Sequence, residues 1–164
     1  MPVIWITGLP GVGKTRVARE LAARMRAAGE ATLLLDGDAL REALSLLAGG
    51  YDAPARRQLA QTYANLAALA SAQGLTVVVA TVSLIADVHR ANRARFTRYL
   101  EVLLSCAEVE RTRRCEGLVL NGPRHGIEIT PEFPAEPHLS LATDATEPHV
   151  LAERIFERWR ADGR

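Results

Sequence analysis

The most constraining feature of this chain is a short stretch near its start, Gly8-Leu9-Pro10-Gly11-Val12-Gly13-Lys14-Thr15. It fits the spacing GxxxxGK[ST] without a mismatch, and its flanks are those the spacing requires. Before it, Val3-Ile4-Trp5-Ile6-Thr7 is an apolar, β-branched run that reads as a buried strand. After it, Val17, Ala18, Leu21, Ala22 and Met25 fall on one face of a helix that ends near Gly29. Glycines let the backbone curl until consecutive N–H groups point inward, where they meet phosphate oxygens. The helix beginning at Lys14 adds the positive end of its dipole. Lys14 reaches β- and γ-phosphates as a compact ammonium, which a planar, bulkier guanidinium does not replace well. Thr15 offers a hydroxyl to Mg²⁺. Composition sharpens the point. Of the 20 basic residues 19 are Arg, and the chain has 27 Ala, as GC-rich coding favours. Under that bias most lysines drift to arginine, and the single one that remains is Lys14. The stretch therefore predicts binding of ATP with Mg²⁺.

Size and charge exclude several other classes. A chain of 164 residues suggests one domain, spanning 1–164. The net charge of +1 gives no sign of a nucleic-acid or anionic-membrane partner. No apolar run approaches the ~18 residues of a spanning helix. The start of the chain lacks the charged region and cleavage site of a secretory signal, so a cytoplasmic location is expected. Cys106 and Cys115 are too few for a disulfide scaffold or a four-ligand zinc site. His89, His125, His138 and His149 lack metal-ligand spacing and read as surface or core residues.

The remaining chain alternates strand and helix. Strands are expected at 31–35, 75–80, 99–104 and 138–141. Helices are expected from about Ala39 to the break at Gly49-Gly50, from Asp52 to about Gln73, over 86–98, over 107–114 and over 147–161. Residues 116–137 are dense in Gly and Pro and read as a loop. Such alternation predicts an α/β domain of the three-layer P-loop NTPase type, with a mostly parallel five-stranded sheet and helices on both faces. In such folds ligands bind beyond the carboxyl ends of the strands. Asp36-Gly37-Asp38 follows the second strand, Thr81-Val82-Ser83 the third and Cys106 the fourth.

Asp36 and Asp38 can serve a Mg²⁺-nucleotide or an acceptor hydroxyl, since phosphoryl transfer needs positioning, charge stabilisation and a carboxylate to orient the attacking oxygen. The alternative is that Asp38 merely caps the following helix. Arg41, one turn on, either binds an anionic acceptor group or sits on a solvated face. Arg56 and Arg57 offer the same two readings. Ser83 is either a substrate contact or a turn hydroxyl. Arg111, Arg113, Arg114, Arg124 and His125 flank the loop, and in small P-loop kinases lid arginines stabilise the transferring phosphoryl group. Arg114, at the start of a lid-like stretch of about 114–137, is the candidate catalytic arginine.

These segments resemble the adenylylsulfate kinase family through nearly the whole chain, and especially its divergent kinase-like branch. The opening 3–15 is close to the family's, and Leu35-Asp36-Gly37-Asp38-Ala39-Leu40-Arg41 matches its LDGDxLR signature. Thr81-Val82-Ser83-Leu84, Asn92-Arg93 and Tyr99-Leu100-Glu101-Val102 resemble the branch with Leu after the strand-end serine. Gly126-Ile127, Phe133, Pro137 and Leu139 match the tail. The resemblance implies transfer of the ATP γ-phosphate to a 3′-hydroxyl with Mg²⁺. Gly8, Leu9, Pro10, Gly11, Val12, Gly13, Lys14 and Thr15 would bind ATP. Thr15 and Asp36 would serve the metal, and Asp36 and Asp38 the chemistry. Asp38, Arg41, Arg56 and Ser83 would meet a small anionic nucleotide acceptor. A homodimer is allowed.

The chain also departs from the family. The acceptor-site pair Arg-x-x-Asn becomes Arg56 with Leu59, the Ile-Ser-Pro turn becomes Val82-Ser83-Leu84, and the lid pattern shrinks to Arg114-Cys115-Glu116-Gly117-Leu118-Val119. The acceptor is therefore expected to be a nucleotide derivative related to adenylylsulfate, with adenylylsulfate itself a poor substrate. The alternatives are a kinase for a non-nucleotide alcohol or antibiotic, and a nucleotide-binding protein without catalysis.

Overall fold

The computed structural model describes residues 1–45, 52–115 and 129–163. Among the described residues five strands and six helices follow one another as β1 (Pro2–Thr7), α1 (Lys14–Ala27), β2 (Thr32–Asp36), α2 (Gly37–Ala43), α3 (Ala53–Ala72), β3 (Thr76–Ala80), α4 (Ala86–Arg95), β4 (Arg98–Ser105), α5 (Glu108–Cys115), β5 (Leu139–Ala142) and α6 (Pro148–Ala161). The strands form one sheet in the order β2-β3-β1-β4-β5, and every pair is parallel.

Side-chain alternation along the strands divides the interior into two cores. Ile4 and Ile6 of β1, Val78 of β3 and Leu100, Val102 and Leu104 of β4 pack against Val17, Leu21 and Met25 of α1 and Ile155, Phe156 and Trp159 of α6. Val3, Trp5, Val77 and Val79 point the other way, onto Leu59, Tyr63 and Ala67 of α3 and Val88 of α4. The sheet is thus buried on both faces, as its continuous apolar runs require. The three-layer expectation holds, and the sheet is wholly parallel rather than mostly so.

Several boundaries differ from expectation. Helix α4 stops at Arg95 rather than near 98, because Arg98 already belongs to β4, in register with Pro2. Its guanidinium lies 3.8 Å over the Trp159 ring and donates to the Trp159 carbonyl, a tertiary anchor with no local signature. Helix α2 begins at Gly37 rather than 39, because Asp36 caps it from the last position of β2. The expected break at Gly49-Gly50 and most of the lid-like stretch lie outside the described residues.

One charged cluster is built into the α3/α4 side. Glu101 of β4 is 1% exposed. Its carboxylate meets His89 Nδ1 at 2.9 Å and accepts from Arg93 at 2.6 Å and Tyr99 Oη at 3.0 Å. His89 is accordingly a core residue. The Arg93 guanidinium also donates to the Glu136 carbonyl, and the Glu101 N–H to His138 Nδ1. The cluster ties the segment leading into β5 to the sheet.

Candidate functional site

Because β1 lies in the middle of the sheet, the loop leaving it emerges at the centre of the carboxyl edge. The loop Gly8–Gly13 curls there and ends at α1. Lys14 Nζ donates to the carbonyls of Gly8 and Leu9, at 3.0 and 2.9 Å. Burial pushes its ammonium down to about 8, opposed by the charges of Asp38, Asp36 and Cys115. Those two carboxylates therefore lie close enough to Lys14 to act on it.

Thr15 and Asp36 come together directly, the threonine hydroxyl donating to Asp36 Oδ2 at 2.6 Å. The other Asp36 oxygen accepts from the N–H groups of Asp38 and Ala39, at 3.2 and 3.3 Å. The helix cap is thus Asp36, and Asp38 is not used for that purpose. Asp38 is exposed in the first turn of α2. A hydroxyl and a carboxylate in contact beside a phosphate loop are hard oxygen donors of the kind Mg²⁺ takes when most of its shell comes from phosphate and water. No group of three or more His, Cys, Asp or Glu fit for a metal occurs among the described residues.

The third strand ends in a built polar corner. Thr7, fully buried, donates its hydroxyl to the Val82 carbonyl at 2.5 Å. Ser83 is 8% exposed, has φ of 23°, and pairs its hydroxyl with that of Thr81 at 3.0 Å. A serine in that backbone region is uncommon and is held by its surroundings. Arg41 and Arg56 are half-buried, at the end of α2 and the first turn of α3. Leu59, in place of the polar residue that the resemblance implies, is 7% exposed and packs into the α3 core.

Arg114 lies in the last turn of α5, on the other side of the loop. It donates to Glu110 at 2.8 Å and to the hydroxyl and carbonyl of Thr143, each at 3.2 Å. Hydrogen bonds from Arg113 and Arg114 hold the Glu110 carboxyl at about 2, so it remains an anion. Cys115 lies beside the loop: a Cβ on Gly11, whose φ is +81°, would stand 2.4 Å from its Sγ. Arg111 precedes it on the same helix, whereas Arg124 and His125 lie outside the described residues.

Two groups of residues escaped the sequence reading. One is the turn after β5. Thr143 is 8% exposed, and its hydroxyl lies 2.9 Å from the Val12 carbonyl and 3.2 Å from that of Ser105, bracing the loop from behind. With Gly13, Arg16, Arg114 and Asp144 it lines a cavity of about 320 Å³ beside the start of α1. The carboxyl-end rule that selected the other loops applies equally to this one. The other is Tyr63 of α3, whose hydroxyl donates to the Gly37 carbonyl at 2.9 Å.

Comparison with known proteins agrees with this geometry. Residues 1–140 match the family described as adenylylsulphate kinase. The adenylyl-sulfate kinase of Burkholderia ambifaria is 32% identical over 98% of this chain and 93% of its own length. The cytidine diphosphoramidate kinase of Campylobacter jejuni is 34% identical over 68% of this chain and 65% of its own. The Mycobacterium tuberculosis APS kinase, solved in complex with AMPPNP and APS, superposes with a TM-score of 0.84 at 22% identity, over 95% of both chains. No helix among the described residues is long and apolar enough to cross a membrane. The chain belongs to the adenylylsulfate kinase family and is an ATP-dependent kinase.

Proposed function

We propose that the chain transfers the γ-phosphate of ATP to the 3′-hydroxyl of a nucleotide derivative related to adenylylsulfate. The observation that carries this reading is the meeting of Lys14, Thr15 and Asp36 at one end of the sheet, with Asp38 next to them. Lys14 exchanges its two loop carbonyls for the β- and γ-phosphate oxygens. Thr15 and Asp36 are the residues that would hold Mg²⁺, which would supply charge neutralisation at those phosphates. Asp38 orients the acceptor hydroxyl and takes up its proton as the new bond to phosphorus forms. Arg114 lies on the ATP side and stabilises charge there, while Arg41, Arg56 and Ser83 belong to the acceptor side. The reading of a non-catalytic protein, or of an antibiotic or alcohol kinase, is not favoured, since relatives over nearly the whole chain are adenylyl-sulfate kinases.

Selectivity within this class follows from Leu59. A core leucine offers the acceptor no hydrogen bond, and losing one such contact costs roughly ten- to a hundredfold in discrimination. The test is steady-state ADP release with adenylylsulfate and cytidine diphosphoramidate as acceptors. Turnover of a nucleotide acceptor is expected, with no strong preference for adenylylsulfate. No turnover with either would sink the kinase reading. Efficient, selective turnover of adenylylsulfate at micromolar concentration would sink the selectivity reading alone.

A further inference from the structure

The two aspartates of the Asp36-Gly37-Asp38 turn are held very differently. Asp36 is fixed by Thr15 and by two backbone N–H groups. Asp38 belongs to α2, a seven-residue helix in which no residue is fully buried and Leu40 alone packs, half-buried, against the α3 side, so hydrophobic packing holds the exposed Asp38 only weakly. The peptide between them is gripped from both sides instead. On one side, a Cβ on Gly37 would stand 3.1 Å from the Ala80 carbonyl oxygen and 3.3 Å from Thr81 Oγ1, so the turn lies flat on the end of β3. On the other side, the Tyr63 hydroxyl donates to the Gly37 carbonyl at 2.9 Å. Tyr63 itself cannot drift. Its ring is 3% exposed, on the face of α3 that packs with Trp5, Leu59 and Val79. A rigid ring, anchored in the core and ending in one donor, thus sets the rotation of the peptide from which Asp38 departs.

We propose that Tyr63 is a positioning residue for Asp38, fixing through the Gly37 carbonyl the direction in which that carboxylate meets the acceptor hydroxyl. The inference rests on the kinase reading above. Burial pushes the phenol up to about 12, with Asp38 and Asp36 adding to the shift and Arg41 opposing it, so the hydroxyl stays a donor at every working pH. Leu59 and Tyr63 lie one helical turn apart on the same face. The leucine gives α3 an apolar contact near the acceptor side, and the tyrosine supplies the polar contact one turn later.

The test is a double-mutant cycle of Tyr63→Phe with Asp38→Asn, read in kcat and in the KM for ATP. Phenylalanine keeps the ring and removes the donor. In the wild-type background kcat should fall roughly tenfold, as for loss of one orienting hydrogen bond. The KM for ATP should change by less than about twofold, because the phosphate loop is untouched. In the Asp38→Asn background the same substitution should cost less than about twofold, since the group it orients is gone. A merely structural role would give losses that multiply. Multiplying losses, or a loss confined to the KM for ATP, would overturn the proposal and leave the kinase reading standing. A wild-type enzyme without turnover would remove both. If Tyr63→Phe melts well below the wild type, Gly37→Ala moves the same peptide from its other side. Its loss of kcat must likewise vanish in the Asp38→Asn background, or the proposal fails.

Discussion

Lys14 shows how much one side chain can carry when its surroundings are built for it. Its two hydrogen bonds to Gly8 and Leu9 hold the ammonium over the loop, and each is a donor that a phosphate oxygen can take over. Lys14→Ala should therefore reduce turnover by at least about a hundredfold, as expected for loss of a charge-stabilising donor, and should weaken ATP binding. ADP release and a nucleotide titration check both parts, and near-native turnover would refute the phosphate-loop assignment. Leu59 is the opposite case. The sequence marks it as a lost acceptor contact, while the fold shows a leucine packed among Trp5, Tyr63 and Val79. Restoring the polar residue by Leu59→Asn should bury an amide where the core offers it no partner, at a cost of about 2–4 kcal/mol. It should nevertheless raise the preference for adenylylsulfate by roughly tenfold, because the bound acceptor is the one partner the amide can find. A melting curve and the ratio of kcat/KM values for two acceptors decide the matter. An unchanged preference would take residue 59 out of the acceptor pocket and remove the selectivity argument.

At the scale of elements, the chain announces what depends on neighbours in sequence and is silent on what depends on neighbours in space. β1 and β3 were legible because continuous apolar runs need burial on both faces, and α1 because its apolar residues repeat along one stripe. The phosphate loop and both aspartates were legible because their spacing is local. Tyr63 was not, since its partner is 26 residues away, and Thr143 was not, since only the pairing of β5 with β4 brings it behind the loop. The start of β4 at Arg98 depends in the same way on Trp159. The Glu101 cluster is a third nonlocal device. Burial pushes this carboxyl up, but hydrogen bonds from His89, Arg93 and Tyr99 outweigh it and hold it below the usual carboxylate range. Glu101→Gln should cost roughly 2–3 kcal/mol, because buried partners lose their counter-charge. It should also speed amide exchange in Leu139–Ala142, since Arg93 bridges Glu101 to the Glu136 carbonyl. Urea unfolding with exchange measurements tests this, and unchanged protection in β5 would show that the cluster does not secure that edge.

For the molecule as a whole, the shifted groups predict how stability follows pH. Lys14 titrates near 8 in the fold and near 10.5 when exposed, so between these values the unfolded chain binds more protons and stability rises with pH. His138 acts in the same direction lower down, since burial and the Arg93 charge push its imidazole below 6.5. Stability is then lost as the pH falls below the value of the unfolded group. Glu101 adds a further loss in acid, as the pH falls through its lowered value. Above about pH 10 the sign reverses, because Tyr63 and Tyr99, both pushed up chiefly by burial, keep protons that an unfolded chain releases. The ATP-free protein should therefore be most stable near pH 9–10, gaining on the order of 2 kcal/mol between pH 7 and that maximum once partial exposure of Lys14 is allowed for. Saturating Mg²⁺ and ATP should flatten the rise, because phosphate oxygens restore the charged lysine. Lys14→Ala should flatten it without nucleotide. Urea midpoints at half-unit steps from pH 7 to 10, with and without nucleotide, make the measurement. If the ATP-free wild type were flat across that range, the Gly8 and Leu9 carbonyls and water would be keeping Lys14 charged in the fold, and burial would not be what lowers it.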